Sequence, residues 1–229
     1  LPVQYKDYTE WRLDKHKTED LTKSWTFWQK QLSNVVPLNL PYDRQRSTEL
    51  NTDGDRIYHT LDTELVEKFE ALAKKKGMTM FIALMAVFKT LIYRWSGETD
   101  LLAGTPFADR RMKDTEHLLG FFVSTLVIRN DMSGDPTFLE LLSRVRKNCF
   151  NSYRYNAMPL DTIIEKLNPA RETNRNPLFD MEFQVQMLQP ETLEIGEAKL
   201  SEARAARKSS QYDLSMTIRE KVDGFDMRF

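Results

Sequence analysis

Apolar residues recur along the chain with two periods, and the switch between them marks the elements. Leu21, Trp25, Trp28 and Leu32 fall three or four apart and predict an amphipathic helix over residues 20–33, ended by Pro37. Around residues 56–61 the period drops to two: Ile57, His59 and Leu61 alternate with Tyr58 and Thr60, the pattern of a half-buried strand. Asp62 then stands where an N-cap belongs, Leu65, Phe69, Leu72 and Ala73 follow at helical spacing, and Gly77 suits the C-terminal end. A second helix is predicted over 79–95 with a broad face of Phe81, Leu84, Met85, Phe88, Leu91, Ile92 and Trp95, wide enough for deep burial.

Residues 101–106 and 121–129 predict strands. Pro136, taken as the first helical position, opens a long helix with the stripe Phe138, Leu141, Leu142, Val145, Cys149 and Tyr153. A short helix is expected at 159–167, and strands at 178–187, 193–200 and 212–219. Residues 203–208 read as a basic loop or turn. Helices and strands intermingle, so the expected fold is an α/β sandwich on a mixed sheet.

Composition adds bounds. At 229 residues, 41% hydrophobic and 29% charged, the chain fits one globular unit. Its net charge of −1 gives no field that draws nucleic acid or an anionic membrane, and no apolar run is long enough to span a bilayer. The single cysteine, Cys149, excludes an internal disulfide and points to a reducing cytosol. His16, His59 and His117 lie far apart in sequence, with no partner at metal-ligand spacing, so no metal site is expected. His16, between two lysines, is expected to be exposed; His117 could line a cleft. Cys149, on an apolar stripe, reads as a small core residue. No phosphate loop, nucleophile elbow or dinucleotide fingerprint occurs. On residue chemistry alone the reading stops at a cytosolic α/β domain.

Four segments, in order, carry it further. Tyr5-Lys6-Asp7-Tyr8-Thr9-Glu10-Trp11 is similar to Y-x-D-Y-A-x-W. Gly104-Thr105-Pro106-Phe107-Ala108-Asp109-Arg110 is similar to G-T-P-x-x-x-R, and Gly120-Phe121-Phe122-Val123-Ser124-Thr125 to G-F-F-V-N-T. Arg171-Glu172-Thr173-Asn174-Arg175-Asn176-Pro177-Leu178-Phe179 is similar to R-D-x-S-R-N-P-L-F. These are the signature motifs of condensation domains of nonribosomal peptide synthetases, which the chain resembles over nearly its whole length. Ser124 departs from the family's Asn. Tyr155-Asn156-Ala157-Met158-Pro159-Leu160-Asp161 departs from H-Q-D-x-P-F-E.

The resemblance implies a chloramphenicol-acetyltransferase-like lobe, a mixed sheet flanked by helices, with residues 1–50 linking two lobes and 51–229 forming a C-terminal lobe cut short at its end. It implies amide formation between a carrier-bound thioester and an acceptor amine. The catalytic histidines of H-H-x-x-x-D-G are expected upstream of Leu1, on an N-terminal lobe, so no catalytic residue is assigned here. Arg110 is implied as active-site support, paired with the Asp of that motif; by residue chemistry it reads equally as a solvated turn. Gly120, Phe122, Ser124 and Asn176 are implied to line the substrate tunnel, or alternatively to form a plain core strand (120–125) and a structural turn (Asn176). No cofactor is expected to bind directly; phosphopantetheine arrives on carrier domains. Implied partners are the N-terminal lobe, donor and acceptor carrier domains and a neighbouring adenylation domain, with no nucleic acid and no membrane. A non-catalytic relative that binds carriers or recruits a tailoring enzyme is the alternative. With its partner outside the chain, Arg110→Ala is expected to cost this chain less than about 0.5 kcal/mol.

Overall fold

A computed structural model describes the chain apart from residues 1, 2, 111, 171, 187–191, 197, 202–207, 222 and 223. Arg111, Arg171, Met187 and most of the expected basic turn at 203–208 therefore lie outside the described residues. The elements are α1 (Tyr5–Thr18), α2 (Thr22–Gln31), β1 (Tyr58–Leu61), α3 (Thr63–Lys75), α4 (Met80–Ser96), β2 (Asp100–Ala108), β3 (Val123–Asp131), α5 (Phe138–Arg154), α6 (Leu160–Leu167), β4 (Met181–Gln186), β5 (Thr192–Ile195), β6 (Ala198–Ser201), β7 (Leu214–Lys221) and β8 (Gly224–Arg228), with one 3₁₀ turn at Lys113–Thr115. Six strands form a mixed sheet in the order β1-β8-β7-β4-β2-β3, in which β4 runs parallel to both β2 and β7; β5 and β6 form a separate hairpin.

Strand parity sorts the core into two layers. Leu101, Ala103, Ile128, Met181, Phe183, Met216, Ile218 and Phe225 pack in one buried cluster with Met85, Phe88 and Ile92 of α4 and Leu141, Leu142 and Val145 of α5. Leu102 and Val127, one residue out of phase, join Trp28 and Leu32 of the α2 region and Ile163 of α6 in a second cluster. Residues 1–50, expected as a linking segment, contribute Trp28 and Leu32 to the second cluster and Leu38 and Leu40 to the first. On the edge strand β3, two carbonyls are taken by side chains of α5. Val127 O accepts from Ser152 Oγ at 2.9 Å, and Arg129 O from Asn148 Nδ2 at 2.5 Å. Arg129 forks onto Asp100 (2.8 and 2.6 Å) and donates to Gln31 O and Ser33 O, tying the C-terminal end of α2 to the sheet.

Several elements depart from the sequence reading, each for a local reason. The long helix starts at Phe138, not Pro136, because Thr137 and Glu140 form a reciprocal capping box. In α3 the buried row is Val66–Ala73, leaving Leu65 and Leu72 exposed; in α4, Leu91 and Trp95 face outward while the row through Met85, Lys89 and Ile92 turns in. Tyr153, expected on the buried stripe of α5, is also exposed. The strand expected over 193–200 is a hairpin, turned at Gly196 with φ +62°. Strand β8, which the sequence reading did not anticipate, sits between β1 and β7. His59 is exposed on a short edge strand instead of half-buried.

One close approach gives a direct test of the packing. A Cβ placed on Gly104 in β2 would overlap the ring of Phe179, which is buried and stacks on Tyr212. Gly104→Ala is expected to destabilise the chain by about 1–3 kcal/mol, the range for overpacking a filled core. Denaturant melts check it, and a loss under about 0.5 kcal/mol would contradict the packing described.

Candidate functional site

The C-terminal end of β2, the return segment after it, the start of β3 and helix α1 meet at one end of the sheet. The β2–β3 ladder closes at Ala108↔Val123, and Asp109 N donates to Phe122 O at 2.8 Å as a last rung. Here the backbone leaves the strand. Gly120 lies so close under Tyr5 that a Cβ would overlap its ring, and the Tyr5 hydroxyl donates to Phe121 O at 2.8 Å. Phe122 is 2% exposed and packs with Leu118 and with Tyr8 of α1, ring centroids 4.7 Å apart. Its burial corresponds to roughly 1.5–3 kcal/mol. Phe122 therefore fills a core beneath α1. The large apolar residues of this segment that reach solvent are Leu119 and Phe121, 92% and 73% exposed, and then Val123.

Arg110 anchors the return segment. Its Nη1 donates to Thr115 O, to Leu118 O at 3.0 Å and to Glu116 O at 3.4 Å, and its guanidinium lies over the Phe122 ring, 4.1 Å from the centroid. Arg110 is exposed, yet it is not a free solvated side chain, so a contribution above the near-zero value expected from sequence is anticipated from these contacts. All three hydrogen bonds leave from Nη1.

Ser124, on β3, accepts from Arg12 Nη2 at 3.2 Å. Arg12 also reaches the Tyr8 hydroxyl (3.5 Å) and places its Nε against His16 Nε2 (3.4 Å). His16 is consequently half-buried and not exposed, and burial together with Arg12 lowers its pKa. Beside Ser124 lies a small cavity of about 20 Å³, which Arg12, Ser124, Thr125, Asn156, Trp28 and Met158 help to line. Asn156 Oδ1 is buried with no hydrogen-bond partner.

Asn176 stands apart from this group. Gly104 pairs with Glu182 in parallel, so the C-terminal end of β2 lies level with the far end of β4, whereas Asn176 precedes β4 at the opposite end of the sheet. There its Nδ2 donates to Gln211 O at 3.1 Å. The neighbouring contacts are also structural. Arg46 pairs with Asp213 and donates to Asn174 O (2.9 Å), and the Tyr42 hydroxyl donates to Asp213 at 2.8 Å. Arg175 reaches the buried Asp180 at 3.5 Å, whose carboxyl is nevertheless pushed up by desolvation.

Burial pushes the Cys149 thiol up to about 12. His117 is exposed. Among the described residues no group of His, Cys, Asp or Glu converges as metal ligands, and no single helix is long and apolar enough to cross a membrane. The sequence reading overlooked Arg12, His16, Asn156 and Lys89 as partners. Lys89 had a visible signal, a charge on the row Met85–Ile92 of an otherwise apolar helix. Arg12 had none, since charges are ordinary on a polar helix such as α1.

The family model for the condensation domain matches residues 1–229. Bacitracin synthase 2 of Bacillus licheniformis is 35% identical over 223 residues, covering 97% of this chain and 9% of that protein. The chain thus corresponds to a small part of such relatives. Among solved structures, the X-domain in its complex with OxyB from teicoplanin biosynthesis is 24% identical with a TM-score of 0.86, over 99% of this chain and 52% of that one. The condensation domain of the monacolin K polyketide synthase MokA is 19% identical, also at TM-score 0.86, over 98% of this chain and 55% of that one. These likenesses establish the expected fold, a chloramphenicol-acetyltransferase-like mixed sheet flanked by helices. With the family match spanning it from end to end, the chain belongs to the condensation-domain family.

Proposed function

We propose that this chain forms one wall of an amide-forming condensation domain in a nonribosomal peptide synthetase. In this reading a donor thioester and an acceptor amine arrive on phosphopantetheine arms of two carrier domains. The amine attacks the thioester carbonyl, the C–N bond forms, and the carrier thiol leaves. The histidines of the H-H-x-x-x-D-G motif, on a preceding N-terminal lobe, act on the amine. A neighbouring adenylation domain loads a carrier, and the assembly is cytoplasmic. Arg110 would brace the histidine-bearing loop through its carboxylate, with Nε and Nη2 not engaged by the carbonyls held at Nη1. Gly120, Ser124 and the outward Phe121 and Val123 would border the tunnel. Holding amine and thioester together can supply about 7–11 kcal/mol of the barrier, which suits a chain that offers walls.

One observation carries the reading: three motif segments, widely separated in sequence, meet at one end of the sheet in a chain that matches the family throughout. The alternative is a non-catalytic member that binds carriers or recruits a tailoring enzyme. The chain's own histidines do not separate the two readings, since His16 is engaged with Arg12, the other two are exposed, and neither reading uses them. One assay separates the two. The complete domain, given loaded donor and acceptor carriers, is expected to form amide, and this chain alone none above the carrier-only background. An inactive complete domain with an intact histidine motif would favour the non-catalytic reading. Product from this chain alone would overturn the assignment of catalysis to the other lobe.

A further inference from the structure

Arg12 does two things at once on a helix that carries no catalytic group. Its Nη2 donates into the Ser124 hydroxyl at 3.2 Å, and its Nε rests against His16 Nε2 at 3.4 Å, one turn further along α1. A hydroxyl has one proton to donate and two lone pairs. With a guanidinium N–H filling one lone pair, the Ser124 proton cannot point back at Arg12, so it is directed to another acceptor. Asn156 lines the same cavity as Ser124 and Arg12, but its Oδ1 has no hydrogen-bond partner, so it does not take the Ser124 proton. The guanidinium also polarises the hydroxyl, because a donor charge on the accepting side strengthens the next bond in the chain. His16 holds the other end. To accept from Arg12 at Nε2 it must be neutral with its proton on Nδ1, and desolvation with the adjacent Arg12 favours that form.

We propose that Arg12 is a positioning residue, which fixes Ser124 as a hydrogen-bond donor toward the carbonyl oxygen of a carrier-bound thioester at the start of β3. The inference rests on the condensation reading and deepens it. Arg12 touches no substrate; it acts through Ser124, which would donate to the carbonyl oxygen as negative charge grows on it during attack. The pairing also explains a short side chain on β3 facing a long one on α1.

The test uses the complete domain with loaded carriers. Arg12→Gln and Ser124→Ala are each expected to lower kcat about tenfold, the scale of a modest loss of alignment, with KM changed less than about twofold. The double variant is expected to be no worse than the poorer single one, because both remove the same donor. Arg12→Lys should restore part of kcat, as it keeps the charge and loses the planar fork. An unchanged kcat in Arg12→Gln, a loss that multiplies to about a hundredfold in the double variant, or a loss that tracks melting temperature across all variants would each overturn the proposal. If the unaltered domain forms no amide, the condensation reading fails separately. The same cycle read in melting temperature then decides on Arg12: non-additive shifts support the Arg12–Ser124 contact, and additive shifts remove it.

Discussion

Raising the pH from 7 to 10 is expected to stabilise the chain by several kcal/mol, and Lys89→Met is expected to abolish most of that rise. Lys89 is fully buried in α4, where its Nζ donates to Leu101 O at 2.7 Å and Ile128 O at 3.1 Å. Desolvation pulls its ammonium from 10.5 down to about 7, while Asp100 opposes the shift. The two carbonyl acceptors favour the charged form as well. Cys149 lies close but stays a thiol, its own ionisation pushed up to about 12, so Lys89 has no anionic partner there. Between pH 7 and 10.5 the unfolded chain holds the lysine proton and the folded chain sheds it. The Lys89 contribution therefore climbs with pH across that window and is flat below it, where both states are charged; above about pH 9 the Cys149 thiol, ionised in the unfolded chain and kept neutral in the fold, works against it, so the net rise falls mainly between pH 7 and 9. At about 1.4 kcal/mol per pH step the full interval sets an upper bound near 5 kcal/mol. Urea midpoints of the two proteins at pH 7, 8, 9 and 10 read the effect. The advantage of the methionine variant should be greatest at pH 7 and shrink toward pH 10. Parallel curves would show that the carbonyls keep the ammonium charged throughout.

Lys89 also illustrates what the sequence could and could not reveal. The elements were legible wherever a cap or a period is local: Asp62 accepts from Leu65 N, and Gly77 follows α3 in the left-handed region. Rows of residues were legible only up to a rotation of the helix. Leu65, Leu91 and Trp95 are as apolar as the residues that turned inward, and neighbouring elements decide which row is buried. Strand β8 alternates Phe225 and Met227 with Asp226 and Arg228, a signal as short as that of β1. The candidate site followed the same division. That the third motif begins a strand was readable, but its register was not. The strand begins only at Val123, and just before it Phe122 is buried while Phe121 is exposed. Asn176 sits in its motif as expected, yet the parallel pairing of β2 and β4 sends it to the other end of the sheet. Pairing between strands so far apart in sequence leaves no trace in the period of either one.

Arg110→Ala is expected to destabilise this chain by about 3 kcal/mol. Hydrogen bonds from a charged donor contribute roughly 1.5–3 kcal/mol, and an exposed cation–π contact about 0.5–1. Both depend on Arg110, through the carbonyls of Thr115, Glu116 and Leu118 and through Phe122. Arg110→Lys should recover less than half, since an ammonium cannot lie flat on the ring while reaching carbonyls on three residues. In the complete domain the proposed pairing with a carboxylate of the other lobe adds a second loss. Breaking one side of a buried pair costs roughly 3–5 kcal/mol, so the loss there should exceed that in this chain, and condensation should fall with it. Denaturant melts of both proteins, each with and without the substitution, separate the two roles. A loss under about 1 kcal/mol in this chain would refute the bracing of the return segment. Equal losses in the two proteins would refute the inter-lobe pair and leave Arg110 as a residue that serves only the segment carrying Leu119 and Phe121.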